Sequence, residues 1–335
     1  MSAEFEIMKQ VLIKSLNKDI VNADWQTKQL QGGTMGDVKL VTGIIQTADG
    51  KSEPFKIVSK SDKQRKEIPF DKRWRREYDL YMSNFSSIFN ETLCMPKCYH
   101  ADLNNGEIKL WLEYIEGVSG KDLTTEMLEH AALELGRFQG RISKQNPLIL
   151  HDDSLFNECG IGFMKHEYSQ WNSETAEYKY IRSSDCEIPD HLCQMLIDLD
   201  NNAETILEKI KKLPIVFCHR DFWIENIFYS DGKIFLIDWD FCGWGYLGED
   251  IASLIVDDII DMEYLDEYYR RFIPAYYKGI SEYMDISLIN DNYIREMILI
   301  KFGCRLVSKY IFPESSDVKN QMIIALQKLF ELKIN

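Results

Sequence analysis

The stretch that decides how this chain is read is Cys218-His219-Arg220-Asp221-Phe222-Trp223-Ile224-Glu225-Asn226-Ile227-Phe228, closed by Ile237-Asp238-Trp239-Asp240. Between these two parts, Asp231-Gly232 separates two apolar runs, which is a strong hairpin signal. Such a hairpin would bring Asn226, just before its first strand, close to Asp238, just after its second. With Asp221 they offer an amide and two carboxylates, the oxygen ligands that Mg²⁺ accepts alongside phosphate and water. The stretch therefore predicts a magnesium site.

The length and composition of the chain indicate a two-lobed protein without a membrane segment. Its 335 residues with 45% apolar content can fill two cores. No stretch is apolar over the roughly 20 residues that a membrane-spanning helix needs. The acidic start lacks the basic and apolar regions of a signal peptide, and the eight cysteines show no paired metal-ligand spacing. We therefore expect reduced thiols and a cytoplasmic protein.

The net charge of −15 argues against nucleic acid as a partner. Residues 1–115 carry 17 basic and 16 acidic side chains, whereas residues 116–335 carry 22 and 38. An acidic second half can attract a cationic ligand, or it can simply aid solubility. Because charge and composition change together, we place an N-terminal lobe at 1–115 and a C-terminal lobe at 116–335.

Alternating apolar residues predict an antiparallel meander in the first lobe. Gly33 and Gly36 lie in a glycine turn that would let backbone N–H groups approach an anion, although most such turns are only turns. Lys60 ends a later strand. Glu77 lies in a helix that follows, where it could pair inward with Lys60 or on the surface with Arg73 or Arg76. A hairpin then leads to residues 112–115, and helical spacing dominates from Thr124 onward.

Taken in order, the glycine turn, strand-end Lys, helix Glu, His-x-Asp-x4-Asn and Ile-Asp match the parts of kinase-like phosphoryl transfer. The chain resembles the aminoglycoside phosphotransferase and choline kinase superfamily. The resemblance lies in residues 218–226, in residues 236–240 and in the loop and helix start at 245–252. It implies an α+β, two-lobed protein-kinase-like fold with an antiparallel β-sheet N-lobe that binds the nucleotide and a mainly helical C-lobe that carries the catalytic loop and the acceptor site.

The resemblance also implies roles for particular residues. Asp221 would be the catalytic base, and Asn226 and Asp238 would hold Mg²⁺. Lys60 would contact the phosphates of ATP or GTP and Glu77 would fix it, while the turn with Gly33 and Gly36 would cover them. Backbone groups near Glu113 and Ile115 would contact the base of the nucleotide. His219 would brace the loop; Asp240 could assist the metal or bind local backbone; and Asp250 would accept loop N–H groups at a helix start.

Two departures from the family pattern bear on the acceptor. Arg220 stands where aminoglycoside phosphotransferases usually carry Gly, and Trp223 stands where protein kinases carry Lys. No Ala-Pro-Glu block follows Asp238, so a small-molecule kinase is preferred over a protein kinase. Trp223 could form an apolar wall of the acceptor site or belong to the core.

The acidic half favours a cationic acceptor such as an aminoglycoside, with Asp257 and Asp261 as candidate contacts. A choline- or amino-sugar-type metabolite is the enzymatic alternative, since small cations stack on aromatic faces. A non-catalytic, kinase-like scaffold, similar to spore-coat-associated relatives, is the alternative from another class. The expected partners are thus a nucleotide and a small acceptor, with no nucleic acid and no membrane, and the oligomeric state is open.

Overall fold

The computed structural model forms two compact units. The first comprises Met1–Val118 and Phe228–Phe241, and the second comprises Ser119–Ile227 and Cys242–Asn335. The structure describes these residues: 3–30, 36–64, 73–83, 89, 92–145, 174–256, 264–287, 289, 292–313 and 316–332.

The first unit is built on an antiparallel five-stranded sheet in the order β1-β2-β3-β6-β5. Its strands are β1 (Ile20–Gln29), β2 (Asp37–Thr47), β3 (Ser52–Lys63), β5 (Cys98–Asn104) and β6 (Glu107–Glu113), with β4 (Leu93–Cys94) outside this sheet. β3 is central, so Lys60 lies between Val38 of β2 and Leu110 of β6. The predicted antiparallel meander is thus present.

The two faces of this sheet are covered by two helices, α1 (Ala3–Leu16) and α2 (Arg73–Met82). Met8 and Leu12 of α1 pack with Ile57 and Trp111. Trp74 of α2 belongs to a second cluster, with Ile108, Leu110 and Leu112. Because side chains alternate along a strand, β3 residues that share a face with Val58 point toward the α2 side. Lys60 is one of them.

A smaller sheet in the order β4-β10-β9-β7 carries the predicted hairpin. Its remaining strands are β7 (Val118–Ser119), β9 (Ile227–Ser230) and β10 (Lys233–Leu236). Asp231 and Gly232 form the turn with positive φ, as an Asp-Gly hairpin requires. Our boundary at residue 115 assigned this hairpin to the second lobe, whereas residues 228–241 pack with the first unit. The reason is that β10 pairs with β4 through Ile234 and Leu93.

The second unit is mainly helical, with β8 (Ile215–Cys218) and β11 (Gly243–Tyr246) paired antiparallel. Its described helices are α3 (Thr125–Gln145), α4 (Ala176–Tyr180), α5 (Asp190–Ile210), α6 (Glu249–Val256), α7 (Leu265–Ser281), α8 (Asn292–Ile311) and α9 (Ser316–Glu331). Thr124 caps α3 by accepting the N–H of Met127 at 3.3 Å.

Helices α3 and α7 lie close together because glycines face each other. A Cβ on Gly136 would lie 2.1 Å from the carbonyl oxygen of Tyr276, and one on Gly279 would lie 2.2 Å from that of Leu133. This close approach fixes α7 against the helix that supports β8. Among the described residues, no helix combines the length and apolarity required to span a bilayer.

Candidate active site

Lys60 lies buried in the first unit among three carboxylates. Its Nζ is 2.6 Å from Glu77 Oε2, 2.6 Å from Asp238 Oδ1 and 3.2 Å from Asp240 Oδ1. The inward pairing of Glu77 with Lys60, one of the two alternatives left open by the sequence, is therefore the one present. Glu77 is only 1% exposed, which excludes the surface alternative. Arg76 instead donates to the carbonyl of Phe241 at 3.5 Å.

Two opposing effects set the pKa values of this cluster: burial disfavours the charged forms, and the neighbouring opposite charges favour them. Burial disfavours the charged form of Lys60, but Glu77, Asp240 and Asp238 outweigh it and raise its pKa well above the usual range. Burial raises the pKa of Glu77, and Lys60 opposes this rise. Burial likewise raises the pKa of Asp240 well above its usual value, again opposed by Lys60. Lys60 is therefore held in its charged form although it is buried.

Asp238 follows β10 in a backbone conformation that favours glycine. Its φ is +63°, whereas residues other than glycine usually have a negative φ. Its side chain is 37% exposed, against 2% for Glu77 and 10% for Asp240. Strained backbone of this kind persists where the surroundings over-determine it and clusters at functional sites. Of the three carboxylates around Lys60, Asp238 is thus the one open to a ligand.

The catalytic-loop candidates lie in the second unit, after β8. Asn226 ends a single 3₁₀ turn, Ile224–Asn226, and its Nδ2 donates to Asp221 Oδ2 at 2.7 Å and to the Asp221 carbonyl at 2.9 Å. These bonds close the loop and fix the Asp221 carboxylate from one side. They also turn the Asn226 amide so that its oxygen is the end left for other ligands.

Asp250, at the start of α6, holds the same loop by its backbone. Its Oδ1 accepts the N–H of Arg220 at 2.7 Å, and its Oδ2 accepts the N–H of His219 at 2.9 Å. Burial raises the pKa of Asp250, and the charge of His219 opposes this rise. This is the role expected of a carboxylate at a helix start that accepts loop N–H groups. His219 is itself buried and lies edge-on to Phe222, with ring centroids 6.4 Å apart.

Gln139 of α3 joins Asp250 to the helical core, and our sequence reasoning missed it. Its Nε2 donates to Asp250 Oδ2 at 3.0 Å, and its Oε1 accepts from the Tyr276 hydroxyl at 2.5 Å. Tyr276 in turn accepts the N–H of Gly248 at 3.1 Å. A signal was present, because Gln139 falls at helical spacing on the apolar face of α3, where a lone amide needs buried partners.

Arg220, in the catalytic loop, also has a positive φ, of +69°. Its guanidinium is buried: Nη2 donates to the carbonyl of Trp244 at 2.5 Å, and Nε lies 3.6 Å from Glu249 Oε2. Glu249 Oε1 accepts the N–H of Tyr246 at 2.7 Å. Burial raises the pKa of Glu249 and Arg220 opposes it. Arg220 thus ties the loop to β11 and to α6.

The other predicted site residues fall into two groups. Gly36 lies directly before β2, where a Cβ would come 2.9 Å from the Ser61 carbonyl oxygen, so the close approach requires glycine. Glu113 ends β6 and donates its backbone N–H to the Lys97 carbonyl at 2.8 Å, and the buried Ile115 follows. Gly33, Asp257 and Asp261 lie outside the described residues.

Trp223 lines a cavity of about 250 Å³ within the second unit. The lining residues are Gly120, Lys121, Leu123, Leu128, Trp223, Ile224, Leu254, Ile255, Val256, Tyr264, Leu265 and Tyr268. Trp223 is therefore a cavity wall rather than a fully buried core residue, and its contact with an acceptor remains a prediction.

The chemistry of the first-unit cluster fits a divalent metal ion. One carboxylate oxygen from each of Glu77, Asp238 and Asp240 lies within 4.8 Å of the others. Carboxylate oxygens are the ligands that Mg²⁺ and Ca²⁺ prefer, and Mg²⁺ is usually held by one or two of them together with phosphate. Of these residues, Asp238 combines exposure with a fixed backbone, so it is the best-suited protein ligand.

Comparison with known proteins agrees with this arrangement. The model of the phosphotransferase enzyme family matches residues 82–284. No curated protein matches the sequence. Among solved structures, the amicoumacin kinase hAmiN in complex with AMP-PNP, Ca²⁺ and Ami is 13% identical over 98% of this chain and 93% of that chain, with a TM-score of 0.54.

Two further structures share the fold at similar distance. Choline kinase from Cryptosporidium parvum Iowa II is 18% identical over 92% of this chain and 88% of that chain, with a TM-score of 0.55. A thermostable mutant of aminoglycoside phosphotransferase APH(4)-Ia, in a ternary complex with ADP and hygromycin B, is 11% identical over 95% and 97%, with a TM-score of 0.53.

The predicted α+β, protein-kinase-like fold is thereby confirmed, and so is the predicted superfamily. The family model covers well over half of the chain. This protein therefore belongs to the phosphotransferase enzyme family and is a kinase that transfers phosphate to a hydroxyl group.

Proposed function

We propose that this protein transfers the γ-phosphate of ATP or GTP to a hydroxyl group of a small molecule in a Mg²⁺-dependent reaction. The observation that carries the proposal is the buried Lys60, held by Glu77 and Asp238 at 2.6 Å each. A desolvated ammonium fixed on a central strand binds a phosphate more strongly than a solvated one. This is the role proposed for Lys60 toward the nucleotide phosphates, with Glu77 as its support.

Asp221 is the proposed catalytic base. Its carboxylate is held by the amide of Asn226, and its backbone lies next to two N–H groups that Asp250 accepts. A carboxylate placed in this way orients an acceptor hydroxyl and takes its proton as the oxygen attacks the γ-phosphorus. The phosphoryl group then passes to the acceptor and the nucleoside diphosphate leaves. Positioning of the hydroxyl is the main contribution expected from Asp221.

Asn226 and Asp238 are the residues that would hold Mg²⁺, which when bound neutralises phosphate charge. The partly exposed side chain of Asp238 supports this assignment, as do the bonds by which the Asn226 Nδ2 group holds Asp221 and leave the amide oxygen as the ligand atom. Gly33 and Gly36 would bring backbone N–H groups to the phosphates, and the segment around Glu113 and Ile115 would contact the base. The similar structures that carry AMP-PNP or ADP support a nucleotide as co-substrate.

The proposed acceptor is a small hydroxylated molecule, and two classes of acceptor are considered. The surplus of acidic residues in the second half favours a cation of the aminoglycoside type. A choline- or amino-sugar-type metabolite is the alternative, favoured by the Tyr264 and Tyr268 side chains in the cavity wall. Hygromycin B in one similar structure supports the first class for that protein.

Binding of nucleotide tests the proposal before any acceptor is known. Titration calorimetry with a non-hydrolysable ATP or GTP analogue, with and without Mg²⁺, should give metal-dependent binding that Lys60→Ala weakens by at least tenfold. Lys56→Ala is the matched control, because Lys56 lies on the same strand but forms an exposed pair with Glu116. Absence of metal-dependent nucleotide binding in the wild type would contradict the proposal and favour a non-catalytic scaffold.

A further inference from the structure

The cavity beside the catalytic loop combines apolar and aromatic side chains with polar atoms, which contribute at least as much of its exposed lining as the apolar atoms do. Ten of its lining residues carry apolar or aromatic side chains, contributed by the loop, α3, α6 and the start of α7. In the described lining, the charged side chain is that of Lys121, and no carboxylate is present. A cationic group of an acceptor therefore finds no counter-ion among these residues. The surroundings instead favour a part of the acceptor that carries no charge.

The aromatic wall has a defined orientation. Tyr264 and Tyr268 are stacked with ring centroids 5.9 Å apart and an interplanar angle of 18°. Tyr268 stacks in turn on Phe272, at 4.7 Å and 22°. Tyr264 is 42% exposed although it lies at the end of this stack. A parallel column of rings with an exposed end is a surface on which a further planar ring gains contact area without reorganisation.

The size of the cavity limits what fits. An apolar cavity of about 150 Å³ holds a benzene molecule, so about 250 Å³ accommodates a substituted ring or two fused rings. A whole multi-ring aminoglycoside exceeds this space. The occupant is thus one ring of the acceptor, with any larger or charged portion outside the cavity.

The position of the cavity connects this ring to the reaction. Trp223 and Ile224 both line it, and they follow Asp221 by two and three residues in the same loop. The loop is held by Asn226, whose amide bonds Asp221, so the wall of the cavity and the base are parts of one fixed segment. A ring seated against Trp223 would therefore contact the same short loop that carries Asp221.

We infer that the acceptor is a hydroxylated compound with an uncharged, planar ring that occupies this cavity, whatever charge the rest of the molecule carries. The inference rests on the proposed function, because it assumes that the ring belongs to the phosphate acceptor. Binding of a ring in the cavity can nevertheless be measured without turnover. It predicts that ringless alcohols are poor acceptors even when they are cationic.

A panel of four alcohols separates the effect of a ring from the effect of a positive charge. The ring-bearing alcohols are 2-phenylethanol, which is neutral, and phenylalaninol, which is cationic; the ringless ones are glycerol, which is neutral, and choline, which is cationic. Each is tested with MgATP and with MgGTP. We expect the two ring-bearing alcohols to stimulate release of nucleoside diphosphate with a KM at least tenfold below that of choline or glycerol. Turnover with choline or glycerol alone would overturn the inference and leave the proposed function intact.

Binding is measured separately, by calorimetry with 2-phenylethanol and phenylalaninol in the absence of nucleotide. Tyr268→Ala and Leu123→Trp, which remove a stacking ring or fill the cavity, should weaken this binding about tenfold, whereas Tyr268→Phe should restore it. Tyr283→Ala, a tyrosine outside the cavity lining, is the matched control, and nucleotide binding checks that each variant is folded. Equal binding by all variants would overturn the inference; ring binding without any transfer would instead contradict the proposed function.

Discussion

Arg220 and Glu249 form an ion pair in the interior of the second unit, with Nε 3.6 Å from Oε2 and side-chain exposures of 1% and 4%. Arg220 holds this position with φ +69°, in the region where a glycine would be unstrained. The arginine that replaces the family's usual glycine is therefore not a surface variation. It exchanges backbone freedom for a buried link between the catalytic loop and the start of α6.

Removal of either partner should leave a buried charge without compensation. We expect Arg220→Ala and Glu249→Gln each to lower the free energy of unfolding by about 3 kcal/mol. The double variant should lose clearly less than the sum of the two. Arg220→Gly should be milder than Arg220→Ala by about 1 kcal/mol, because glycine relieves the left-handed backbone. Urea unfolding of the four variants measures these differences, and strictly additive losses would show that the pair is not coupled.

Asp250 should act on turnover rather than on nucleotide binding. It accepts the N–H groups of His219 and Arg220, so Asp250→Asn replaces one acceptor by a donor that faces an N–H. A loop displaced by about 1 Å can lose roughly a hundredfold in rate. We therefore expect kcat to fall by one to two orders of magnitude with little change in the KM for nucleotide. Steady-state kinetics measure both constants. An unchanged kcat with a raised KM for nucleotide would refute the positioning role of Asp250.

Divalent metal should stabilise the wild-type protein measurably. Three carboxylates surround one ammonium in the first unit, so the cluster offers more oxygen ligands than Lys60 alone can occupy. A ligand present at a hundred times its Kd adds about 2.7 kcal/mol to the free energy of unfolding. Thermal unfolding with a nucleotide analogue should shift upward by a few degrees when Mg²⁺ is added. Asp238→Asn should remove most of this shift and Asp49→Asn, at an exposed turn, should keep it; an equal shift in both would exclude Asp238 as a ligand.

The thiol of Cys98 should report the charge of Glu77. Burial, and then the Glu77 charge, raise the pKa of Cys98 from 9.0 to about 11. At pH 8 its thiolate is therefore about a hundredfold scarcer than that of an ordinary cysteine. Peptide-resolved mass spectrometry should show slow alkylation by iodoacetamide, faster alkylation in Glu77→Gln, and equal rates in urea. Rapid labelling of Cys98 in the folded wild type would contradict the raised pKa of this thiol, and equal labelling in Glu77→Gln would exclude a contribution from Glu77.

Much of the first unit followed from local patterns. Alternation along β3 placed Lys60 on the face of Val58, and the Asp231-Gly232 turn fixed the hairpin that carries Asp238. These are short-range features, set by side-chain period and turn chemistry. Local sequence could not show whether Glu77 pairs with Lys60 or with the nearby arginines, because the pairing depends on which face of α2 packs on the sheet.

The supports of the catalytic loop could not be read in the same way. Gln139 meets Asp250 across 111 positions of sequence, and Arg220 meets Glu249 across 29. A single sequence shows a polar residue on an apolar face but not the partner that satisfies it. For the same reason the hairpin at 228–241 was assigned to the second lobe, since its pairing with β4 joins distant segments.

The role of Asp221 is the central claim, and transfer of labelled phosphate tests it most directly. The wild type, Asp221→Asn and Asp231→Asn are incubated with γ-labelled ATP or GTP, Mg²⁺ and the panel of hydroxylated compounds; Asp231 lies in an exposed turn and serves as the control. We expect acceptor phosphorylation by the wild type and by Asp231→Asn, and a loss of at least a hundredfold in Asp221→Asn with nucleotide binding retained. Undiminished transfer by Asp221→Asn would contradict the account.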